Sequence, residues 1–355
     1  MIRRNIRSLT CLLVLTLCGA CTPAEEASES AKEEKKRLQP WVKQGRILAP
    51  GFAGPLSSNR LSAPSVVKLK DGRLRLYFWT GDKEGYHYLF AAEASPENPH
   101  DWELLSEEPL LRPSPTGNLS DRGPSFPWVL PRQEGGWLMY YAVWGSWAPP
   151  GELSNRTSLA ISRDEGVTWE TINEPLLPLG EPGSYDAGLT GSVCVLQTGP
   201  EKYEMWYTAG ERYEIFNERN RGIVHIGHAV SQDGTEWVKD PEPALRARQE
   251  QVEGYEAVVS KPSVLIIDGV YHMWFSVFMM DGHGYRLRYA RSRDGVHWKP
   301  YFDEVLFPHS PGEFDSENQS YSNVIEVGDE LWMFYVGNRF GATGIGLATM
   351  KTAAL

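Results

Sequence analysis

Aromatic-rich hydrophobic runs, broken by charged and turn-forming stretches, recur along this chain at nearly even spacing. They read Leu74-Arg75-Leu76-Tyr77-Phe78-Trp79, Trp137-Leu138-Met139-Tyr140-Tyr141, Tyr203-Glu204-Met205-Trp206-Tyr207, Tyr271-His272-Met273-Trp274-Phe275 and Leu331-Trp332-Met333-Phe334-Tyr335. Leu76, Met139, Met205, Met273 and Met333 hold the same place in each run, at intervals of 63, 66, 68 and 60 residues. Short aromatic runs suit a pleated strand packed on both faces, and self-similarity at a fixed period marks a repeat architecture.

The flanks of each run supply the rest of the repeat. A further strand and a tight turn precede it, as in Pro64-Ser65-Val66-Val67 before Asp71-Gly72 and Pro262-Ser263-Val264-Leu265 before Asp268-Gly269. A Ser-x-Asp turn follows it, at Ser162 to Trp169, Ser231 to Trp237 and Ser292 to Trp298, with Ser95 to Trp102 as a degenerate copy. In such turns Gly accepts positive φ and Asp bonds back to nearby backbone, so Asp164, Asp233 and Asp294 are read as turn residues and not as catalysts. The Trp opens a short outer strand. The unit is therefore four strands, which is one propeller blade, and the chain is predicted to be an all-β, five-bladed β-propeller. The fifth repeat ends without its Trp-led strand, and Trp41 to Pro50 resembles Trp298 to Pro308. The N-terminal strand is thus expected to close the last blade, making residues 41–355 one domain.

The ends change the cellular picture. Arg3, Arg4 and Arg7 precede an apolar stretch from Ser8 to Leu17. As a helix that stretch spans about 15 Å, half a bilayer core, so residues 1–20 read as a signal peptide and not a membrane span. Leu17-Cys18-Gly19-Ala20-Cys21 resembles a bacterial lipobox, with Cys21 as the lipidated residue; an ordinary secretory signal is the alternative. Residues 21–40 are charged and read as a tether. The expected location is the bacterial cell envelope, lipid-anchored, at the outer membrane. Of the four Cys only Cys194 then remains, as a core residue. Net charge is −11, and −14 without the three signal arginines, which argues against nucleic acid as a partner.

Chemistry in such a fold sits where the inner strands begin. Aligned there are Ser58-Asn59-Arg60-Leu61, Ser120-Asp121-Arg122-Gly123, Ser184-Tyr185-Asp186-Ala187, Gly254-Tyr255-Glu256-Ala257 and Phe314-Asp315-Ser316-Glu317. Carboxylates converging on one funnel would push each other's pKa values apart, as an acid and a base or nucleophile require. The other reading is structural: Asp121, Asp186, Asp315 and Glu317 would satisfy backbone N–H groups or pair with Arg60, Arg122 and Lys261. Asn338 and Arg339, in Gly337-Asn338-Arg339-Phe340-Gly341, are candidates for bonds to sugar hydroxyls, and Trp144 and Trp147 for stacking on a sugar face. Trp79, Trp206 and Trp274 are assigned to the core. His225 and His228, three apart on a strand, face opposite sides and do not suggest a shared metal. No cofactor or metal is required, although a structural Ca²⁺ held through water stays open.

The Ser-x-Asp-Gly-x-x-Trp turns, Pro-Ser-Val strands and Met-Trp-Tyr strand, spanning residues 41–355, resemble the five-bladed glycoside hydrolase superfamily. That group includes arabinanases and xylosidases, invertases and levanases, and mannoside phosphorylases. The resemblance implies an oligosaccharide or polysaccharide partner and hydrolysis or phosphorolysis of a glycosidic bond. By position it implies catalytic roles for Asp121, Asp186 and Glu256, with Glu256 as proton donor and Asp186 or Asp121 as base or nucleophile. Asn59, Arg60, Arg122, Trp147, Lys261, Asp315, Glu317, Asn338 and Arg339 would contact substrate. The chain departs from the pattern in placing Asn59-Arg60 where many of these enzymes hold an Asp, and it lacks the invertase signatures. The alternatives are a non-catalytic, monomeric glycan-binding lipoprotein and, further off, a sialidase-like propeller, for which no Arg triad is evident.

Overall fold

The computed structural model describes residues 41–147, 155–216, 219–248, 256–279, 284–301, 306 and 308–355. Cys21, the signal segment and the tether lie outside the described residues. The body from Pro40 to Ala353 is built almost wholly of strands.

Strand β1 (Val42–Leu48) is followed by four antiparallel groups in chain order. The first is β2 (Arg60–Lys68), β3 (Leu74–Gly81), β4 (His87–Ala94) and β5 (Glu103–Leu104). The second is β6 (Gly123–Pro131), β7 (Trp137–Trp144), β8 (Arg156–Ser162) and β9 (Glu170–Thr171). The third is β10 (Leu189–Gly199), β11 (Lys202–Phe216), β12 (Arg219–Ser231) and β13 (Val238–Lys239). The fourth is β14 (Glu256–Ile267), β15 (Val270–Met279), β16 (Gly284–Ser292) and β17 (Trp298–Tyr301). A last group holds β18 (Ser320–Val327), β19 (Glu330–Val336) and β20 (Ile345–Lys351), and β1 pairs antiparallel with β20 to make it four-stranded. Each aromatic run falls on the second strand of its group, as its composition dictates. Each short outer strand begins at the predicted Trp or one residue after it.

The inner strands share one irregularity. Each carries a β-bulge centred on a non-glycine residue with positive φ: Ala63, Phe126, Ser192, Lys261 and Tyr321, at 47° to 53°. A left-handed L-residue costs about 1–2 kcal/mol, and a bulge re-aims the side chains around it. Just past the bulges the inner strands join one another. Val129 N–H donates to Ser65 Oγ (2.9 Å), Val264 N–H to Cys194 Sγ (3.2 Å), Val324 N–H to Ser263 Oγ (2.9 Å) and Val66 N–H to Asn323 Oδ1 (2.8 Å). Trp128 Nε1–H donates to the Val195 carbonyl (2.9 Å). These bonds run from first group to second, second to third, and onward until the fifth returns to the first.

The predicted turn chemistry is present. Ser162, Ser231 and Ser292 Oγ accept from the N–H of Gly166, Gly234 and Gly295 at 2.8, 2.9 and 3.0 Å. The turns also lock neighbouring groups: Tyr77 O–H, Tyr140 O–H and Trp206 Nε1–H donate to the carbonyls of those glycines. Bonds from Thr168, Glu236 and His297 hold the carboxyls of Asp164, Asp233 and Asp294 well below the usual range. Cys194 is fully buried, and burial pushes its thiol up to about 12.

Candidate functional site

A cavity of about 420 Å³ opens where the leading halves of the five inner strands come together. β2 gives it Arg60, β6 Phe126, β10 Leu189 and Ser192, β14 Val258 and Ser260, and β18 Tyr321. Second and third strands add Trp79, His87, Trp144, Thr208, Phe278 and Tyr285, and Asn155 lies just ahead of β8. The bulges explain the wall: Phe126, Ser192 and Tyr321 are bulge residues turned into the opening.

Two glycines make the close approaches. Gly123 has φ +103°, and a Cβ there would meet the His87 carbonyl at 2.1 Å, so only glycine lets β6 reach β4. Gly341 has φ +93°, and a Cβ there would meet the Leu61 carbonyl at 2.0 Å. That contact seats the preceding left-handed pair Arg339 and Phe340 against β2. The Phe340 ring comes to lie 6.3 Å from Tyr321, stacked, and 5.6 Å from Tyr285, edge-on.

The polar groups of this wall have spare bonding capacity. The Arg60 guanidinium lies 5.7 Å over the Trp79 ring, and no ion pair or side-chain hydrogen bond engages it among the described residues. Trp79 Nε1, His87 Nδ1, Asn155 Oδ1 and Ser260 Oγ are buried and have no hydrogen-bond partner there either. His87 packs against Trp79 at 4.6 Å. Burial first, then the nearby Arg60 charge, pulls its pKa down to about 4, so it is neutral at pH 7.

The expected carboxylate cluster is not assembled here. Asp121 is buried and takes hydrogen bonds from Gly117 N–H (2.8 Å), Ser146 N–H (2.7 Å) and Ser146 O–H (2.6 Å), and the Ser146 hydroxyl above all holds its carboxyl below the ordinary value. Asp186 is buried against Lys239 Nζ (2.5 Å), Tyr207 O–H (3.0 Å) and Ser184 O–H (3.0 Å). Asp315 is fully buried, its Oδ2 taking Lys43 Nζ (2.5 Å), Tyr335 O–H (3.0 Å) and Gln319 Nε2–H (3.2 Å). None of the three lines the cavity. The cations of Asp186 and Asp315 are Lys239 and Lys43, not the expected Arg60, Arg122 or Lys261. A buried carboxylate needs a cation and donors close by, and outer-strand lysines supply them. Glu256 opens β14, its backbone paired with Met279, and its side chain lies outside the described residues.

The remaining candidates scatter. Glu317 and Asn59 are exposed and away from the cavity wall, as is Arg122, which lies 5.4 Å over Tyr86. Asn338 is buried and spent on the loop before β18: its Oδ1 accepts from Glu317 and Asn318 N–H, and its Nδ2 donates to Ser316. Arg339 is exposed, while its neighbour Phe340 reaches the cavity. Trp147 donates to the Leu119 carbonyl beneath Arg156, off the wall, whereas Trp144 is on it. Trp79, assigned to the core, serves both core and cavity. Lys261 is fully buried, 5.3 Å over Trp128, and burial pulls its pKa down to about 8. His225 and His228 are engaged by Glu211 and Asp240. No cluster of three or more His, Cys, Asp or Glu suited to a metal occurs among the described residues. Sequence reasoning missed His87, Phe126, Asn155, Tyr285 and Tyr321. The residue after Ser125 and Ser320, at the bulge, was the readable signal for Phe126 and Tyr321.

The fold is that of solved glycoside hydrolases. A structure described as "Glycoside hydrolase" superposes with a TM-score of 0.67 at 20% identity, over 94% of this chain and 96% of that one. A complex of BT0996 with RGII gives 0.69 at 19% identity, over 91% and 95%. By sequence, the uncharacterised protein Rv1502 of Mycobacterium tuberculosis is 28% identical over 315 residues, 88% of this chain and 99% of the relative. No family profile matches the chain.

Proposed function

We propose that this chain is a glycan-active enzyme of glycoside-hydrolase type whose substrate enters the cavity bounded by Arg60, His87 and Asn155. The carrying observation is that unsatisfied donors and acceptors sit among aromatic faces in one cavity. A sugar ring presents both an apolar face and a rim of hydroxyls, and it needs both kinds of partner. The shared fold with solved glycoside hydrolases supports the reading without supplying the chemistry.

Glu256 is the carboxylate best placed by sequence to act as proton donor, because it begins the strand that gives Val258 and Ser260 to the cavity. Its expected partners Asp121 and Asp186 are committed elsewhere. That commitment favours a second reading, a non-catalytic carbohydrate-binding protein using the same cavity. We further propose that the five groups form a five-bladed propeller closed by β1, working as a monomer. The cyclic bonds between inner strands support this. The lipobox-like Cys21 and charged tether support an envelope lipoprotein at the outer membrane.

The test is product release by the purified protein from a broad oligosaccharide panel, with and without phosphate, beside Glu256→Gln. Release abolished by that change establishes the enzyme, and phosphate dependence separates phosphorolysis from hydrolysis. Saturable binding without release selects the second reading. Neither binding nor release sinks both.

A further inference from the structure

We infer that the cavity recognises a negatively charged sugar, a uronic-acid residue, with Arg60 as the carboxylate's partner. This deepens the proposed function and rests on it. The argument begins with charge. The chain carries 46 acidic residues against 35 basic ones, yet among the described residues no carboxylate engages Arg60. Arg60 is half-buried, and burial lowers its pKa from the ordinary value without removing the charge. A guanidinium held out of water without a counter-charge is unfavourable unless a ligand brings one.

The surroundings fix the orientation. Trp79 lies under the guanidinium, and Gly81 allows the Arg60 stem to pass, since a Cβ there would already touch Arg60 Cγ at 3.3 Å. The Trp79 indole N–H is an unpartnered donor in the same wall. A planar guanidinium fork matches a planar carboxylate in two parallel bonds. His87 is neutral at pH 7 and so adds hydrogen bonding without a competing charge.

The rest of the wall chooses the carrier of that charge. Asn155 Oδ1 and Ser260 Oγ are buried acceptors that suit hydroxyl protons, and Phe126, Tyr321 and Trp144 offer ring faces. A free phosphate would use the guanidinium and leave the acceptors and rings idle. A carboxylated pyranose uses all three.

The experiment is a tryptophan-fluorescence titration of the purified full chain. The probes are short uronic-acid oligosaccharides, the same oligosaccharides after methyl esterification, and inorganic phosphate. The free acid should bind at least about tenfold more tightly than the ester, as a charge-assisted bidentate pair allows. Arg60→Gln should bring the acid down to the ester's affinity while moving the ester by less than about twofold, and Arg60→Lys should keep part of the preference. Melting curves of both variants confirm folding. Because the whole chain is negative, any preference for the acid must arise locally. Equal binding of acid and ester by the unaltered protein overturns the inference and leaves the proposed function standing. Arg60-dependent binding of phosphate with no preference for the acid overturns it as well. Absence of all sugar binding by the unaltered protein overturns both.

Discussion

Asp315 and Arg60 sit at matching points of the repeat, just before an inner strand and at the start of one, yet they live in opposite circumstances. The Asp315 carboxylate is enclosed, and Lys43, Tyr335 and Gln319 all donate to one of its oxygens. Asp186 repeats the arrangement with Lys239 and Tyr207. Arg60 faces a cavity with an aromatic floor and, among the described residues, no counter-charge. The first kind of station joins outer, second and inner strands of one group. The second kind leaves its capacity open. A charged residue near a strand start is therefore not diagnostic of a site; unspent hydrogen-bonding capacity is.

The hardest blow to this contrast is Asp315→Ala. It strands the half-buried Lys43 ammonium and the Tyr335 hydroxyl, and removing one partner of a buried pair costs about 3–5 kcal/mol. Denaturant unfolding should show that loss, with sugar affinity unchanged in the folded fraction. A loss of affinity without loss of stability would make Asp315 a site residue after all.

Lys261→Met sharpens the contrast from the other side. Among the described residues Lys261 is a charge with neither ion pair nor cavity. Its fall from 10.5 to about 8 corresponds to about 3 kcal/mol against folding at neutral pH. Below about pH 8 that penalty is whole. Between pH 8 and 10.5 the unfolded chain binds the extra proton, so stability rises with pH. Methionine should stabilise the protein by about 2 kcal/mol at pH 7, after loss of the Trp128 contact, and flatten the alkaline rise. A destabilised variant with the rise intact would contradict this account.

Ser65→Ala tests the belt between inner strands. It orphans the buried Val129 N–H and should cost about 1–2 kcal/mol in thermal or denaturant unfolding. The smallest expected effect is a null: affinity for an acidic sugar should stay flat between pH 8 and 6. His87 gains its proton only near 4, so a rise in affinity already at pH 6 would place its charge in the binding step.

The fold was largely legible, because period and turn chemistry are local. Met139, Met205, Met273 and Met333 do land on second strands, and Ser162, Ser231 and Ser292 do tie their turns. The site was legible only in part. Alignment put Asp121, Asp186 and Asp315 at the strand starts, but their engagement depends on Ser146, Lys239 and Lys43, which are distant in sequence. Phe340 was missed beside Asn338 and Arg339 because two successive left-handed residues reverse which side chain faces inward. Arg60 was found, but its lack of a partner can be seen only when its neighbours are in place.

The pairing of β1 with β20 carries a kinetic meaning. Lys43 and Asp315 are 272 residues apart, and Val42 meets Thr349 across the same ladder. The first strand made during synthesis must wait for the last before it has a partner. Loop closure over such a span slows folding, and an unpaired β1 leaves the edge of the last group open in the meantime. The same seam is where the finished molecule would begin to come apart: a pull on the N-terminus loads Lys43, Asp315 and the β1–β20 ladder before it reaches the cavity.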